Sequence, residues 1–343
     1  MKLYSLLPLF LVSSALSLKC RSQQTCAGHP ELCSKPFNKV SFGTTHNAYS
    51  YAPPAGSPAL NQERSIQQQL DDGIRAFMID THKPLKVTSV WDKIIAWFNT
   101  TFHRTNAADA PEIQGVHLCH QSCALVDKGT LYDTLKVFRQ FLNEHPGEIV
   151  TFIIENSDGF APEQLSPSFK LADLERSAFV PTWEHSPNNQ NYTWPTLKEM
   201  VDKDQRMVVF VDKNTDTAKV PYLLSEWDYV IETQFSNIHP VKEFPCTQDR
   251  PGDHVPRDLL VVNHFAYNRI TVAEKNIDIP LTADQLRKYG YNSKDQIQTH
   301  LNTCTKVWGA DRVPNFITLD YYDVSGSALL DTVNKVNGVS SYV

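Results

Sequence analysis

Eight short apolar runs, each ending in a polar side chain, constrain this chain more than any other feature. Val40-Ser41-Phe42 leads to His46, and Ile74 through Ile79 to Asp80. Val116-His117-Leu118 leads to His120, and Ile149 through Ile154 to Glu155. The second half repeats the pattern: Met207 through Val211 into Asp212, Val230-Ile231 into Glu232, Leu259 through Val262 into Asn263, and Phe316 through Leu319 into Asp320. Continuous apolar runs of this length, separated by helical segments, read as buried parallel strands. Eight of them predict an α/β fold of the TIM type, a closed (β/α)8 barrel. In such a barrel the active site is assembled where the strands end. Those ends supply two histidines and several carboxylates, so the chain reads as an enzyme.

The 343 residues, 41% hydrophobic and 20% charged, are enough for one barrel with insertions. A formal charge of −6 and a pI near 6.0 argue against a general nucleic-acid partner and against electrostatic docking on anionic membranes. The N-terminus reads as a secretory signal over residues 1–17: Lys2, a Leu-rich run from Leu3 to Val12, then small residues to Ser17. Residues 18–343 then form a single domain, and the chain is expected to be extracellular. No apolar tail suggests a C-terminal lipid anchor. All seven cysteines follow the signal, which in an oxidising compartment implies disulfides. Sequons at Asn99-Thr100-Thr101 and Asn191-Tyr192-Thr193 agree with a secreted surface.

Along the chain, the Cys-rich lead from Cys20 to Cys33 is expected across one end of the barrel. Ser57 as cap, Pro58 in the first turn and Gly73 beyond the end predict a helix from Pro58 to Leu70. A second helix runs from Leu131 to Glu144, with Leu131, Leu135, Phe138 and Leu142 on one face. Thr282 and Gln285 form a capping box, and Leu329, Val333 and Val336 share the face of a last helix that stops at Gly338. Two insertions stand out. Residues 83–115 hold Trp91, Ile94, Ile95, Trp97, Phe98 and Phe102, a set suited to a membrane-touching helix, although packing on the barrel is the commoner fate of such a face. Residues 156–197, rich in Pro, Ser and Asn, read as ordered loop over the strand ends.

Two histidines at the ends of different strands are the natural pair for phosphodiester cleavage. One imidazole takes a proton from the attacking hydroxyl while the other gives one to the leaving oxygen. His46 and His120 are the candidates among twelve histidines, singled out by position, since a lone histidine is usually structural. A competing zinc reading of His117, Cys119, His120 and Cys123 is disfavoured, because strand alternation sends His117 and Cys119 to the face opposite His120. Asn47, Asp80 and Glu155 offer oxygens to a hard cation that leaves room for water and phosphate. Taken singly, each acid reads more simply as a strand cap or ion-pair partner. Arg75, out of phase with Asp80, reads as a structural ion-pair residue, and Lys213 as solvated or, less simply, as a phosphate contact.

These motifs resemble those of the phosphatidylinositol-specific phospholipase C X region: Thr45-His46-Asn47, Gly73-Ile74-Arg75 through Asp80, Leu118-Cys119-His120, and Ile149-Val150-Thr151 through Glu155. Asn61-Gln62-Glu63 and the stretch from Asn315 to Asp320 are similar to the secreted fungal- and plant-type members. The likeness runs from about Cys26 to Gly338. It implies a TIM-like barrel, often imperfectly closed, that cleaves a glycerophospholipid headgroup ester, the inositol 2-hydroxyl attacking phosphorus to give a cyclic phosphate and diacylglycerol. His46 and His120 match the family's histidine pair. Asn47, Asp80 and Glu155 match ligands of a divalent cation, Ca²⁺ more than Mg²⁺. Proximity and the resemblance together suggest Cys26–Cys33, Cys119–Cys123 and Cys246–Cys304, leaving Cys20 over.

The chain departs from the metal-dependent members at Met78, where they carry a second acid, and from the metal-free members at Asp80, where they carry an arginine. Asp212 is a possible replacement ligand. Three functions stay open on these residues. The first is a phosphatidylinositol-type phospholipase C acting on a phospholipid, with transient membrane contact. The second is a glycerophosphodiester or sphingolipid phosphodiesterase on the same barrel. The third is a catalytically silent secreted barrel that binds rather than cleaves.

Overall fold

A computed structural model describes residues 24–52, 57–85, 114–183, 193–253, 255–272 and 274–340. The strands are β1 Phe42–Thr45, β2 Ala76–His82, β3 His117–Cys119, β4 Asp127–Thr130, β5 Val150–Glu155, β6 Met207–Val211 and β7 Leu223–Ser225. They continue as β8 Val230–Thr233, β9 Gln248–Arg250, β10 Leu259–Asn263, β11 Tyr267–Val272, β12 Lys275–Pro280 and β13 Phe316–Leu319. The helices are α1 Ile66–Asp72, α2 Leu131–Glu144, α3 Pro162–Leu171, α4 Leu197–Asp202, α5 Glu226–Tyr229, α6 Ala283–Tyr289, α7 Lys294–Trp308 and α8 Ala328–Asn337.

Eight parallel strands curl in the order β7-β6-β5-β2-β1-β13-β10-β8. Among the described residues the ring does not close: β7 has no strand partner beyond β6, and β8 instead pairs antiparallel with β9. The fold is therefore a TIM-type barrel with a seam between β7 and β8, bridged by the single turn of α5. Strand alternation builds two cores. Phe42, Ala76, Met78, Ile153, Phe210, Val261 and Phe316 fill the interior. Phe77, Ile79, Phe152, Ile154, Val209, Val262 and Ile317 point outward into the helices. Continuing each interior series along its strand reaches His46, Asp80, Glu155, Asp212, Glu232, Asn263 and Asp320, so the polar run-ends lie in phase with the interior.

Three expectations need correction. The run before His120 is not a barrel strand. β3 pairs antiparallel with β2 and β4, forming an arm beside the barrel. The eighth parallel strand is β7, whose three residues are too few to stand out in the sequence. The helix expected from Pro58 begins instead at Ser65, which caps Gln68 in a capping box, and it ends at Gly73 with φ 107°. Before Ser65 the chain stays non-helical because Asn61 and Gln62, both fully buried, are spent on the strand ends. The 156–197 insertion is likewise not all loop: it carries α3, which packs on α2.

The other helices follow their signals. α2 spans the expected residues with Thr130 as cap, the Thr282–Gln285 capping box opens α6, and α8 ends at a left-handed Gly338. Cys26–Cys33, Cys119–Cys123 and Cys246–Cys304 form disulfides. The Cys26–Cys33 lead lies at the N-terminal end of the strands, where Ala27 N donates to Gly147 O and Phe37 N to Pro195 O. Residues 1–23, the aromatic set from Trp91 to Phe102 and the sequon asparagines lie outside the described residues.

Candidate active site

A cavity of about 450 Å³ opens at the C-terminal ends of the strands, lined by His46, Asn47, Asp80, His120, Glu155, Asp212, Glu226, Glu232, Arg250, Phe265 and Tyr267 among others. His46 leaves β1 and is fixed on three sides. Its Nδ1 lies 2.9 Å from Asp320 Oδ1, and its ring stacks on Phe265 with centroids 4.0 Å apart and planes 3° from parallel. Gln62 Nε2 donates to the His46 carbonyl at 2.7 Å and to Leu319 O at 3.1 Å, tying the ends of β1 and β13 together.

His120 approaches from the β3 arm. Its Nδ1 meets the Ala59 carbonyl at 2.5 Å, and the Cys119–Cys123 disulfide closes the turn behind it. A carbonyl only accepts, so Nδ1 carries the proton and Nε2 is the free nitrogen. Burial lowers the imidazole pKa to about 4, so the ring is neutral in the free site near pH 7. The two rings face each other edge-on with centroids 6.5 Å apart. In each case Nδ1 is held by the protein and Nε2 turns to the pocket, where the Asn47 amide reaches both. The zinc reading is overturned, since Cys119 is in a disulfide and His117 Nδ1 turns to Asp127 Oδ1 at 2.9 Å.

Asn47, Gln121 and Tyr321 follow His46, His120 and Asp320, and all three are left-handed, with φ of 43°, 58° and 45°. The chain thus turns sharply just after each site residue. Such conformations are costly for side chains other than glycine, and persist where surrounding contacts enforce them.

The acids gather on the β2–β5–β6 side. Asp80 and Glu155 are register partners on adjacent strands. Burial, then the Glu155 charge, raises the Asp80 pKa well above the ordinary carboxyl value, although the Tyr49 hydroxyl donates to it at 3.0 Å. Asn47 lies between Asp80 and the histidines. One end of its amide is 3.1 Å from both Asp80 oxygens, and the other is 3.3 and 3.1 Å from Nε2 of His46 and His120. If the amide carbonyl faces Asp80, either a proton retained on that buried carboxyl or a hard cation lies between the oxygens. If the nitrogen faces Asp80, hydrogen bonds fill the space instead. Asn47 and Asp80 thus bring together the kind of oxygen donors that a divalent cation takes. Glu155 stands at the exposed rim, and among the described residues no set of three acids here closes to within 4.8 Å.

Met78 sits in the interior core and offers no oxygen. Asp212 lines the same cavity, accepting from Asn156 N at 2.8 Å, with its pKa raised by burial. Lys213 is exposed and bonds Ser157 O instead of entering the cavity. Arg75 pairs with Glu148 at 2.6 Å, far from the site, as its phase predicts.

Sequence reasoning missed the far wall. Glu226 opens α5 without an apolar run to announce it, and Arg250 lies in the polar strand Gln248-Asp249-Arg250. Arg250 Nη2 and Nε reach Glu232 Oε2 at 2.5 and 3.0 Å, and its guanidinium lies 4.2 Å from the Phe235 ring centroid. Burial, then Glu232, pushes the Glu226 pKa well up. Asn61 was visible only as part of a motif. Here its amide donates to Asp320 Oδ1 at 2.8 Å, behind His46.

The PI-PLC X 1 family model matches residues 100–335. A PI-PLC X domain-containing protein of Arthroderma benhamiae is 29% identical over 320 residues, covering 92% of this chain and 90% of that protein. An uncharacterized secreted protein of the same fungus is 27% identical over 321 residues, and the alignment spans 92% of this chain but only 64% of that protein's length. Among solved structures, the phosphatidylinositol-specific phospholipase C of Listeria monocytogenes superposes with a TM-score of 0.52 at 12% identity, covering 93% of this chain and 99% of that one. At that identity the likeness speaks for the fold.

Proposed function

Because this chain belongs to the PI-PLC X domain family, we propose that it is a secreted phosphodiesterase of the phospholipase C type. Its partner on this reading is a phospholipid of the phosphatidylinositol class, met at a membrane surface. The observation that carries the reading is the histidine pair: two imidazoles with centroids 6.5 Å apart, each tethered through Nδ1 and turning Nε2 to the pocket beside the Asn47 amide. Secretion is supported by the leader-like N-terminus, the three disulfides and the relative named as secreted.

His46 Nε2 removes the proton of the substrate hydroxyl that attacks phosphorus. Asp320, bonded to Nδ1, stabilises the imidazolium that forms and holds the ring in the productive tautomer. His120 Nε2 delivers a proton to the departing glycerol oxygen. Its neutrality in the empty site means that the anionic phosphodiester must favour its protonated form on binding. Phe265 keeps the His46 ring from rotating. Asn47, Asp80 and Glu155 would hold a divalent cation, Ca²⁺ in preference to Mg²⁺, which when bound would neutralise charge building on the phosphoryl oxygens. The acidic lining supports this need, because six carboxylates and one arginine would otherwise repel a phosphodiester.

The test is cleavage of phosphatidylinositol by the mature protein with Ca²⁺ or with chelator, alongside His46→Ala and His120→Ala. Phosphorus NMR should show a cyclic phosphate product that disappears in both variants and in chelator. Absence of turnover on inositol, glycerol and sphingoid phosphodiesters alike would overturn the reading in favour of a binding protein.

A further inference from the structure

His46 follows a barrel strand, but His120 stands at the end of an arm. The β2–β3 ladder reaches only Leu118, and His120 N bonds Val126 O, which belongs to the arm itself. Polar contacts from the β1 side complete the tether, and two consecutive residues just past His46 supply them. Tyr49 is 1% exposed, and its hydroxyl donates to the Cys119 carbonyl at 2.7 Å, at the residue before His120. Ser50 is fully buried, and its Oγ donates to the Ala59 carbonyl at 2.7 Å, the same oxygen that receives His120 Nδ1. Asn61 N and Gln62 N close on the Ser50 carbonyl at 2.9 and 3.0 Å, which braces the segment presenting Ala59. The chain leaving one histidine thus turns back to hold the other.

We propose that Tyr49 and Ser50 are positioning residues for His120, Tyr49 setting how far the arm stands from β1 and Ser50 aligning the carbonyl that orients the ring. The role rests on the phosphodiesterase reading, in which His120 Nε2 passes a proton to the departing glycerol oxygen. The P–O bond breaks in that step and its electron pair leaves on the oxygen. Neither residue lines the cavity, so each acts through His120 and not on the substrate. The base, His46, is held separately by Asp320 and Phe265. Loss of either hydroxyl should therefore impair proton delivery to the leaving group and spare proton removal from the nucleophile. A leaving group stable as an anion needs no such proton.

The test compares phosphatidylinositol with the p-nitrophenyl ester of inositol phosphate, using the full mature chain with Ca²⁺ and its Tyr49→Phe and Ser50→Ala variants. On phosphatidylinositol, Tyr49→Phe should lower kcat by about 10–100-fold with KM within about twofold, the loss expected of a displaced proton donor. On the aryl ester the fall should be no more than about threefold. Tyr49 also lies 3.0 Å from Asp80 Oδ2, whereas Ser50 bonds no acid, so the same pattern in Ser50→Ala assigns the effect to His120. Circular dichroism checks that each variant folds. Proton NMR reads the tether without turnover: the His120 Nδ1 proton should exchange slowly with water in the native chain and about tenfold faster or more in either variant. Equal losses on the two esters, or a ring proton that exchanges alike in the native chain and both folded variants, overturns the proposal. Native protein that cleaves neither ester removes the phosphodiesterase reading instead. Ring-proton exchange then decides alone whether Tyr49 and Ser50 hold His120.

Discussion

Asp320 Oδ1 accepts from two sides at once, from His46 Nδ1 at 2.9 Å and from Asn61 Nδ2 at 2.8 Å. The carboxylate is 2% exposed, so water does not compete for it. Asp320 thereby decides which nitrogen of His46 bears the proton and which faces the substrate. Replacing Asp320 with Asn offers the ring a group that can also donate and frees the opposite tautomer. Asp320→Asn should lower kcat by about 10²-fold or more while KM changes little, the loss expected when a group supporting proton transfer is removed. Steady-state kinetics checks this. An equal fall in both variants of the pair Asp320→Asn and Asn61→Ala would show that they act as one unit.

Cation binding should be visible without substrate. Saturating Ca²⁺ at 100 times its dissociation constant stabilises a folded protein by about 2.7 kcal/mol, readable as a shift in urea midpoint. Asp80→Asn should abolish the shift and Glu155→Gln should weaken it. Met78→Asp places an acid one alternation below Asp80 on the same interior face. That variant should be less stable alone and show a larger Ca²⁺-induced shift than the native chain.

Arg75 and Glu148 are each 11% exposed and joined at 2.6 Å, at the N-terminal end of the barrel. Removing one partner strands the other charge in a nearly dry setting. Arg75→Met should therefore cost about 3–5 kcal/mol in urea unfolding, and Arg75→Met with Glu148→Leu should recover much of that. Activity per folded molecule should be unchanged in both, because the pair lies at the opposite end of β2 from Asp80.

Stability should fall in mild acid for a reason that can be located. His264 and His300 meet through Nδ1 at 3.0 Å in a buried niche beside Phe244, and burial lowers their pKa values to about 4 and about 3. The unfolded chain takes up protons near pH 6.5 that the folded chain refuses, so stability is lost as pH falls below 6.5 towards 4. Each refused proton contributes a slope of up to about 1.4 kcal/mol per pH unit. Asp80 and Glu226 oppose this, because their raised pKa values favour the folded state at low pH and lose that advantage as pH rises. Chemical denaturation between pH 4 and 7 should show a shallower slope in His300→Gln than in the native chain.

The barrel and half of its site were legible because both are written in period two. An apolar run with a polar end in phase already places His46, Asp80, Glu155 and Asp320 around one mouth. Strand direction is not written that way. Three residues before His120 look the same whether they run with the barrel or against it, and only the partner strand decides. The misplaced helix start shows a second limit. Ser57-Pro58 and Ser65-x-x-Gln68 are both good openings, and the choice is made by Asn61 and Gln62 reaching His46 and Asp320, contacts that span 259 residues in one case. Glu226 and Arg250 had no local signal, since a one-turn helix and a polar edge strand carry no periodicity.

The seam between β7 and β8 gives the two ends of the cavity different mechanical footing. His46 is anchored to the continuously paired side, β1 flanked by β2 and β13, and the β3 arm that carries His120 is paired to β2 of that same side. The far wall, with Glu226 in the bridging turn, borders the gap, where no such ladder ties one side to the other. Changes in this wall, by substitution or by spreading of the gap, are thus absorbed locally. The two histidines keep their spacing while the far wall is revised, so the two ends of one cavity can change independently.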